Sequence, residues 1–334
     1  MVPGLPGLLR QICPGNRWDL RRVLFYMELR TSILKTVAYF DLFNYPISLE
    51  DIRHFLEVEV GQAEVAQVTE MLVRGGYLYR VGPYYSLQNN PSLADRRQRG
   101  EAHADTLLAI ANRNARLLYK FPFVRGICIS GSLSKRFADE KADIDYFIIT
   151  KANRLWLART FMLLYRRLAY LTGHEEHYCL NYYIDEEAFE VEEKNIFTAT
   201  ELYTLLPAAG GESLARFFLA NSWANAYLPR YMQHIREHRT SNRSSFLKRW
   251  LEKLLDNKLG NKLDDHLHNV TARRWQEKEK NGELDKKGIK MSMFSDKHCS
   301  RPNPVYFQAR ILSKYRHKLE ELTQKGYFFL KEII

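Results

Sequence analysis

The stretch GICISGSLSKRFADEKADIDYFIIT, Gly126 to Thr150, sets two apolar runs around a polar centre. Ile127-Cys128-Ile129 reads as a buried strand, broken at Ser130-Gly131-Ser132. A basic segment follows with Lys135 and Arg136, and a second strand then carries Asp143 and Asp145 among apolar neighbours. Side chains alternate along a strand, so acids at i and i+2 share one face. Two carboxylates on one face repel each other unless a cation sits between them. Hard oxygen ligands of this kind suit Mg²⁺, which takes one or two carboxylates together with substrate phosphates. A glycine-serine turn after a strand offers backbone N–H groups and a hydroxyl to a phosphate. The plainer alternative is an exposed hairpin with two surface aspartates, and the close apolar flanks argue against it.

Gly131-Ser132, ten intervening residues, then Asp143-Ile144-Asp145 resembles the signature of the DNA polymerase beta-like nucleotidyltransferase superfamily. The likeness is close over Gly126–Thr150 and looser from 100 to 230. It implies that Asp143 and Asp145 hold Mg²⁺ on a nucleoside triphosphate. Gly131 and Ser132 would cradle its β- and γ-phosphates, and Lys135 or Arg136 would offset charge on the leaving pyrophosphate. A later strand in the superfamily often supplies a third acid. In the strand expected over His177–Ile184, Asn181 takes that place, an amide that can ligate a metal but cannot act as a base. Asp185, Glu175 and Glu176 lie at the strand ends as alternatives. The implied activity is Mg²⁺-dependent transfer of a nucleoside monophosphate to a hydroxyl, amine or phosphate of a small molecule, protein or RNA. A catalytically silent nucleotide-binding protein on the same fold is the alternative that Asn181 favours.

Ahead of this stretch, apolar residues at helical spacing (Ile33, Leu34, Val37, Ala38, Leu42) predict a helix over 31–43. Ser48, with Asp51 three residues on, caps a second helix, and Val65, Val68, Met71 and Leu72 mark a third that ends at Gly75-Gly76. A hairpin follows over residues 77–87. Three helices and a hairpin resemble a winged helix, whose third helix would read DNA. The expected outer face of that helix, Gln62, Glu64, Gln67, Thr69 and Glu70, is neutral to acidic, and Arg74 is its one cation. DNA affinity rests on neutralising phosphates, so DNA is a disfavoured partner and an accessory module is the preferred reading. Arg96, Arg97 and Arg99 then form a basic cluster, read either as a solvated helix start or as phosphate contacts.

After Thr150, a helix over 154–171 is expected to bury Trp156, Leu157, Phe161, Leu164, Leu168 and Leu171 and to set Arg159, Arg166 and Arg167 on a basic flank. Helices are expected over 197–206, ending at Pro207, and over 213–227 with Phe217, Phe218, Trp223 and Tyr227 as core. Further on, Leu247, Trp250, Leu251, Leu254 and Leu255 repeat at helical spacing, with Lys248, Arg249 and Lys253 expected outside. Residues 276–290 read as a charged loop and 305–322 as a last helix.

The expected architecture is α+β: a flexible leader (1–20), a winged-helix-like domain (21–90), a nucleotidyltransferase-like domain with a small mixed sheet (91–230), and a basic helical C-terminal region (231–334). Net charge is +11 over 334 residues, which favours polyanionic partners. The four cysteines are scattered, without a C-x-x-C pair, which argues against zinc and fits a reducing compartment. No apolar run reaches membrane-spanning length and no signal peptide is evident. A cytoplasmic protein with no membrane partner is therefore expected.

Overall fold

The computed structural model describes residues 20–170, 179–232, 245–282, 290–304 and 306–328. The chain divides into two compact units, Met1–Arg99 with Asn225–Arg230 and Gln308–Ile334, and Gly100–Ala224 with Tyr231–Phe307. Residues 1–19 of the expected leader (1–20) lie outside the described residues, as do Glu175, Glu176, His177 and residues 283–289; of the expected loop over 276–290, residues 276–280 are instead helical.

The first unit opens with α1 (Leu20–Asp41), α2 (Leu49–His54) and α3 (Gln62–Arg74), then the hairpin β1 (Tyr79–Val81) and β2 (Tyr84–Ser86). Ser48 caps α2 through the Asp51 N–H while the Asp51 carboxylate accepts from the Ser48 N–H, so two helix-end donors are satisfied reciprocally. Ile33, Leu34, Val37 and Ala38 of α1 are buried, as are Val65, Val68 and Leu72 of α3. Thr69, expected on the outer face of α3, is buried too; its hydroxyl donates to the Val65 carbonyl at 2.7 Å, which removes its polarity from the surface question.

The long α4 (Ser92–Leu118) starts earlier than the sequence indicated. Of the three arginines at its start, Arg99 is exposed, whereas Arg97 and Arg96 are bonded within the fold. Arg97 is buried, its guanidinium bonded to the Pro46 carbonyl at 3.2 Å and the Asp51 carboxylate at 3.4 Å, and laid over the Tyr45 ring at 3.8 Å. Arg96 donates to the Phe43 and Asn44 carbonyls. These guanidiniums satisfy the Phe43, Asn44 and Pro46 carbonyls of the chain that leaves α1.

The second unit continues with β3 (Val124–Ser130), a 3₁₀ turn (Leu133–Lys135), β4 (Asp145–Thr150), α5 (Leu155–Tyr170), β5 (Cys179–Asp185), α6 (Ile196–Thr204), β6 (Leu206–Ala209), α7 (Gly211–Ala220), α8 (Phe246–Leu255), α9 (Lys258–Lys280), β7 (Met291–Ser295) and β8 (Cys299–Pro304). Helix α10 (Phe307–Gln324) returns to the first unit, where Lys318 pairs with the buried Asp41 at 2.9 Å. The strands form one sheet of mixed sense in the order β6-β3-β4-β5-β8-β7, with only β4 and β5 parallel. An α+β protein with a small mixed sheet is thus what the chain forms. Tyr146 and Ile148 of β4 face a core that includes Ala104, Leu107 and Ala111 of α4 and Leu155 and Trp156 of α5. Phe147, on the opposite face, meets Phe217 of α7 with ring centroids 4.9 Å apart.

Helix α6 stops at Thr204, just ahead of Pro207, and Pro207 lies in the edge strand β6, a place where a residue without an N–H is tolerated. The C-terminal region, read as helical, contributes β7 and β8, whose pairing runs from Met291–Pro304 to Ser295–Ser300. The helix over 246–255 is rotated relative to the sequence reading: Leu255 packs on the core and Arg249 and Lys253 are exposed as expected, but most of the apolar stripe is not inward. Lys248 is buried, whereas Leu247, Trp250 and Leu254 are exposed. Lys248 donates to the carbonyls of Tyr119 (2.8 Å) and Val124 (2.6 Å), and its ammonium sits over the Tyr119 ring.

Candidate nucleotide site

Strand β3 ends at Ser130, paired with Asp145, so the chain turns away from the sheet beside the first residue of β4. The turn is possible because Gly131 has φ +72, a conformation that costs a side-chain-bearing residue free energy. A β-carbon on Gly131 would lie 2.6 Å from Asp145 Oδ2, so the glycine lets backbone and carboxylate touch. Ser132 is exposed at the tip and begins the 3₁₀ turn. Leu133 anchors that turn in the core, and the Ser134 hydroxyl donates to the Gly131 carbonyl at 2.8 Å.

Lys135 is held at the edge of the turn. Its ammonium donates to the Gly131 carbonyl at 3.2 Å and pairs with Glu201 of α6 at 2.9 Å. Glu201 was not legible as a site residue, since in sequence it stands out only as a helical acid near Thr198. Arg136 adopts φ +53 and pairs on the surface with Asp105 of α4 at 2.9 Å. Of the two expected pyrophosphate cations, Lys135 is therefore bonded to the glycine turn itself, while Arg136 is bonded to a helix beside it.

Asp143 and Asp145 are both half-buried. The strand begins at Asp145, and Asp143 precedes it, in the segment that follows the turn closed by the Ala142 N–H on the Asp139 carbonyl. Both carboxylates act electrostatically on the Cys179 thiol. Burial pushes the Cys179 thiol up first, then the charge of Asp145 and a hydrogen bond to it, then the charge of Asp143, with Arg166 of α5 opposing. Arg166 was read only as part of a basic flank, and it is the cation whose field reaches this thiol.

On β5 the partner of Asp145 in register is Cys179, and the next pair is Phe147 with Tyr182. Asn181 falls where the register shifts between them, and its side chain lies outside the described residues. Asp185, the alternative acid, pairs with Thr150 at the far end of β4. It is fully buried and accepts from the Asn153 and Glu187 N–H groups, with His298 Nδ1 at 2.9 Å. That carboxylate ties loops together and stands away from Asp145.

Among the described residues no three His, Cys, Asp or Glu side chains form a metal cage. Two carboxylates beside an exposed turn still fit Mg²⁺, which completes its shell with water and substrate phosphates instead of protein ligands.

No family model, no curated protein and no solved structure matches this chain.

Proposed function

We propose that the second unit is a Mg²⁺-dependent nucleotidyltransferase that moves a nucleoside monophosphate from a triphosphate to a hydroxyl, amine or phosphate acceptor. The observation that carries this reading is the contact of the Gly131 turn with Asp145, with Asp143 acting on the same thiol. Asp143 and Asp145 would hold the cation, and the Gly131-Ser132 backbone would approach the phosphates. Mg²⁺ bound there would neutralise phosphate charge and fix the reacting geometry. Lys135 supplies a positive charge where pyrophosphate would leave, and such fixed charge is most of what the reaction asks of a protein.

Cys179 beside Asp145 favours a second reading, a nucleotide-binding protein on the same fold without turnover. A thiol hydrogen-bonded to a carboxylate is no substitute for a third acid that takes the acceptor's proton. The winged-helix resemblance of the first unit gives weaker support to DNA binding, because Arg74 lies 3.7 Å from Glu70 on the α3 surface. Calorimetry with each nucleoside triphosphate and Mg²⁺, beside Asp143→Ala/Asp145→Ala, tests the site. Binding by the native chain and its loss in the variant are expected. Unchanged binding in a folded variant would move the site elsewhere.

A further inference from the structure

Helix α8 packs with its polar side inward. Lys248 is buried against two carbonyls and the Tyr119 ring. Glu252 accepts from the Phe123 N–H at 2.7 Å and holds the Arg125 guanidinium through both carboxylate oxygens. Asp256, just past the helix, pairs with Lys151 and Arg154. Charge-assisted bonds of this kind fix the helix orientation together with Leu255, which packs on the core. The outward side is then apolar: Phe246 is 76% exposed, Leu247 63%, Trp250 54% and Leu254 55%. The start of α9 adds Leu259 and Leu263, both exposed. Gly260 brings it close to the end of α8, since a β-carbon there would overlap the Leu255 carbonyl.

The charge around this face is mainly cationic, with Asp265 just beyond Leu263 exposed and 3.9 Å from Lys297. Between residues 246 and 263 the acids are Glu252 and Asp256, and both are engaged in the inward pairs. The other exposed charges are Arg249, Lys253, Lys258 and Lys262, all cationic. A helix with Trp, Phe and Leu on one face and cations beside them is the pattern of an interfacial helix, which lies in the headgroup region and does not span the bilayer. Among the described residues no helix is long and apolar enough to cross a membrane.

We infer that the outer face of α8 and the first turns of α9 dock on an anionic lipid surface. Trp250, Phe246, Leu247 and Leu254 enter the headgroup boundary, and Arg249, Lys253, Lys258 and Lys262 meet lipid phosphates. A partner protein of ordinary surface would leave these four cations without counter-charge, whereas an anionic bilayer supplies it across the whole face. The inference stands on α8 and is independent of the nucleotide reading. It departs from the expectation of no membrane partner, which rested on the lack of a spanning segment and of a signal peptide.

The test is co-sedimentation of the full chain with vesicles of phosphatidylcholine, alone or with about one third phosphatidylglycerol. Binding to the anionic vesicles only is expected, weakened in roughly 0.5 M salt. Leu247→Glu/Leu254→Glu alters exposed side chains and should abolish pelleting without changing the thermal midpoint. Arg249→Gln/Lys253→Gln should lower the partition coefficient by about tenfold. Native chain that stays in the supernatant overturns the inference, as does undiminished pelleting of Leu247→Glu/Leu254→Glu. So does a native dimer, seen by sedimentation velocity, that ignores vesicles and dissociates in that variant, which would make the face an interface between copies.

Discussion

Asp145 Oδ2 lies 2.6 Å from the point where a β-carbon on Gly131 would project, and Gly131 holds φ +72. Alanine at this position meets both obstacles together. The left-handed conformation costs about 1–2 kcal/mol, and the carboxylate must move. Gly131 itself is half-buried beside the exposed Ser132, so Gly131→Ala should fold with a slightly lowered midpoint. Its Mg²⁺-nucleotide affinity should fall by roughly tenfold or more, about 1.4 kcal/mol per decade. Calorimetry beside a thermal melt separates the two effects.

Lys135 is shared between the Gly131 carbonyl and Glu201. A polyphosphate at the turn would compete with Glu201 for that ammonium. Glu201→Gln should therefore tighten triphosphate binding several-fold, while Lys135→Met weakens it by about 1–2 kcal/mol, the scale of a charge-assisted bond. If Glu201 acts only through Lys135, the double variant binds like Lys135→Met alone, with a coupling energy above about 0.5 kcal/mol. Additive effects would show instead that Glu201 meets the ligand by another route.

The strands around the candidate site were legible because Ile127-Cys128-Ile129 and Tyr146-Phe147-Ile148-Ile149 are short apolar runs bounded by polar residues. The caps were legible too, since Ser48 and Asp51 carry their own local geometry. What the sequence did not carry was anything set by long-range pairing. Register made Cys179, two residues before Asn181, the neighbour of Asp145. A helical pattern also gives a periodicity without saying which side faces in. For α8 the apolar stripe predicted the inward face, and buried polar contacts from Lys248 and Glu252 rotated it so that only its Leu255 edge meets the core. Glu201 was invisible because its partner, Lys135, is 66 residues away.

Asp185 and Cys179 mark opposite ends of β5, and their substitutions should separate structure from site. Asp185→Ala leaves the Asn153 and Glu187 N–H groups and His298 without their buried acceptor. It should cost about 2–4 kcal/mol of stability, read by urea unfolding. The cation site, at the other end, should keep its affinity in the folded fraction. Cys179→Asp does the reverse, placing a third carboxylate beside Asp145. Its divalent-cation affinity should rise by about tenfold, at a stability cost from the added charge repulsion that Mg²⁺ removes.

Asp264 of α9 is 1% exposed and accepts from the Leu157 N–H at 2.8 Å, while its Oδ2 has no partner among the described residues. Burial pushes its carboxyl up to about 6, against the Leu157 bond and Arg154, which pull it down, and with Asp265, which adds to the rise. Its folded value thus exceeds the ordinary 3.8 of the unfolded chain. Between those values the unfolded state has released its proton and the folded state retains it. Stability from this group is therefore fully present below pH about 4 and is lost as pH rises through about 6. An asparagine side chain in its place cannot ionise and keeps an acceptor for the Leu157 N–H. Asp264→Asn should match the native chain near pH 4 and exceed it at pH 7.5 by about 1–3 kcal/mol. Urea unfolding at the two pH values checks this, and a variant less stable at pH 7.5 would mean that the charged carboxylate has a partner worth more than its burial costs.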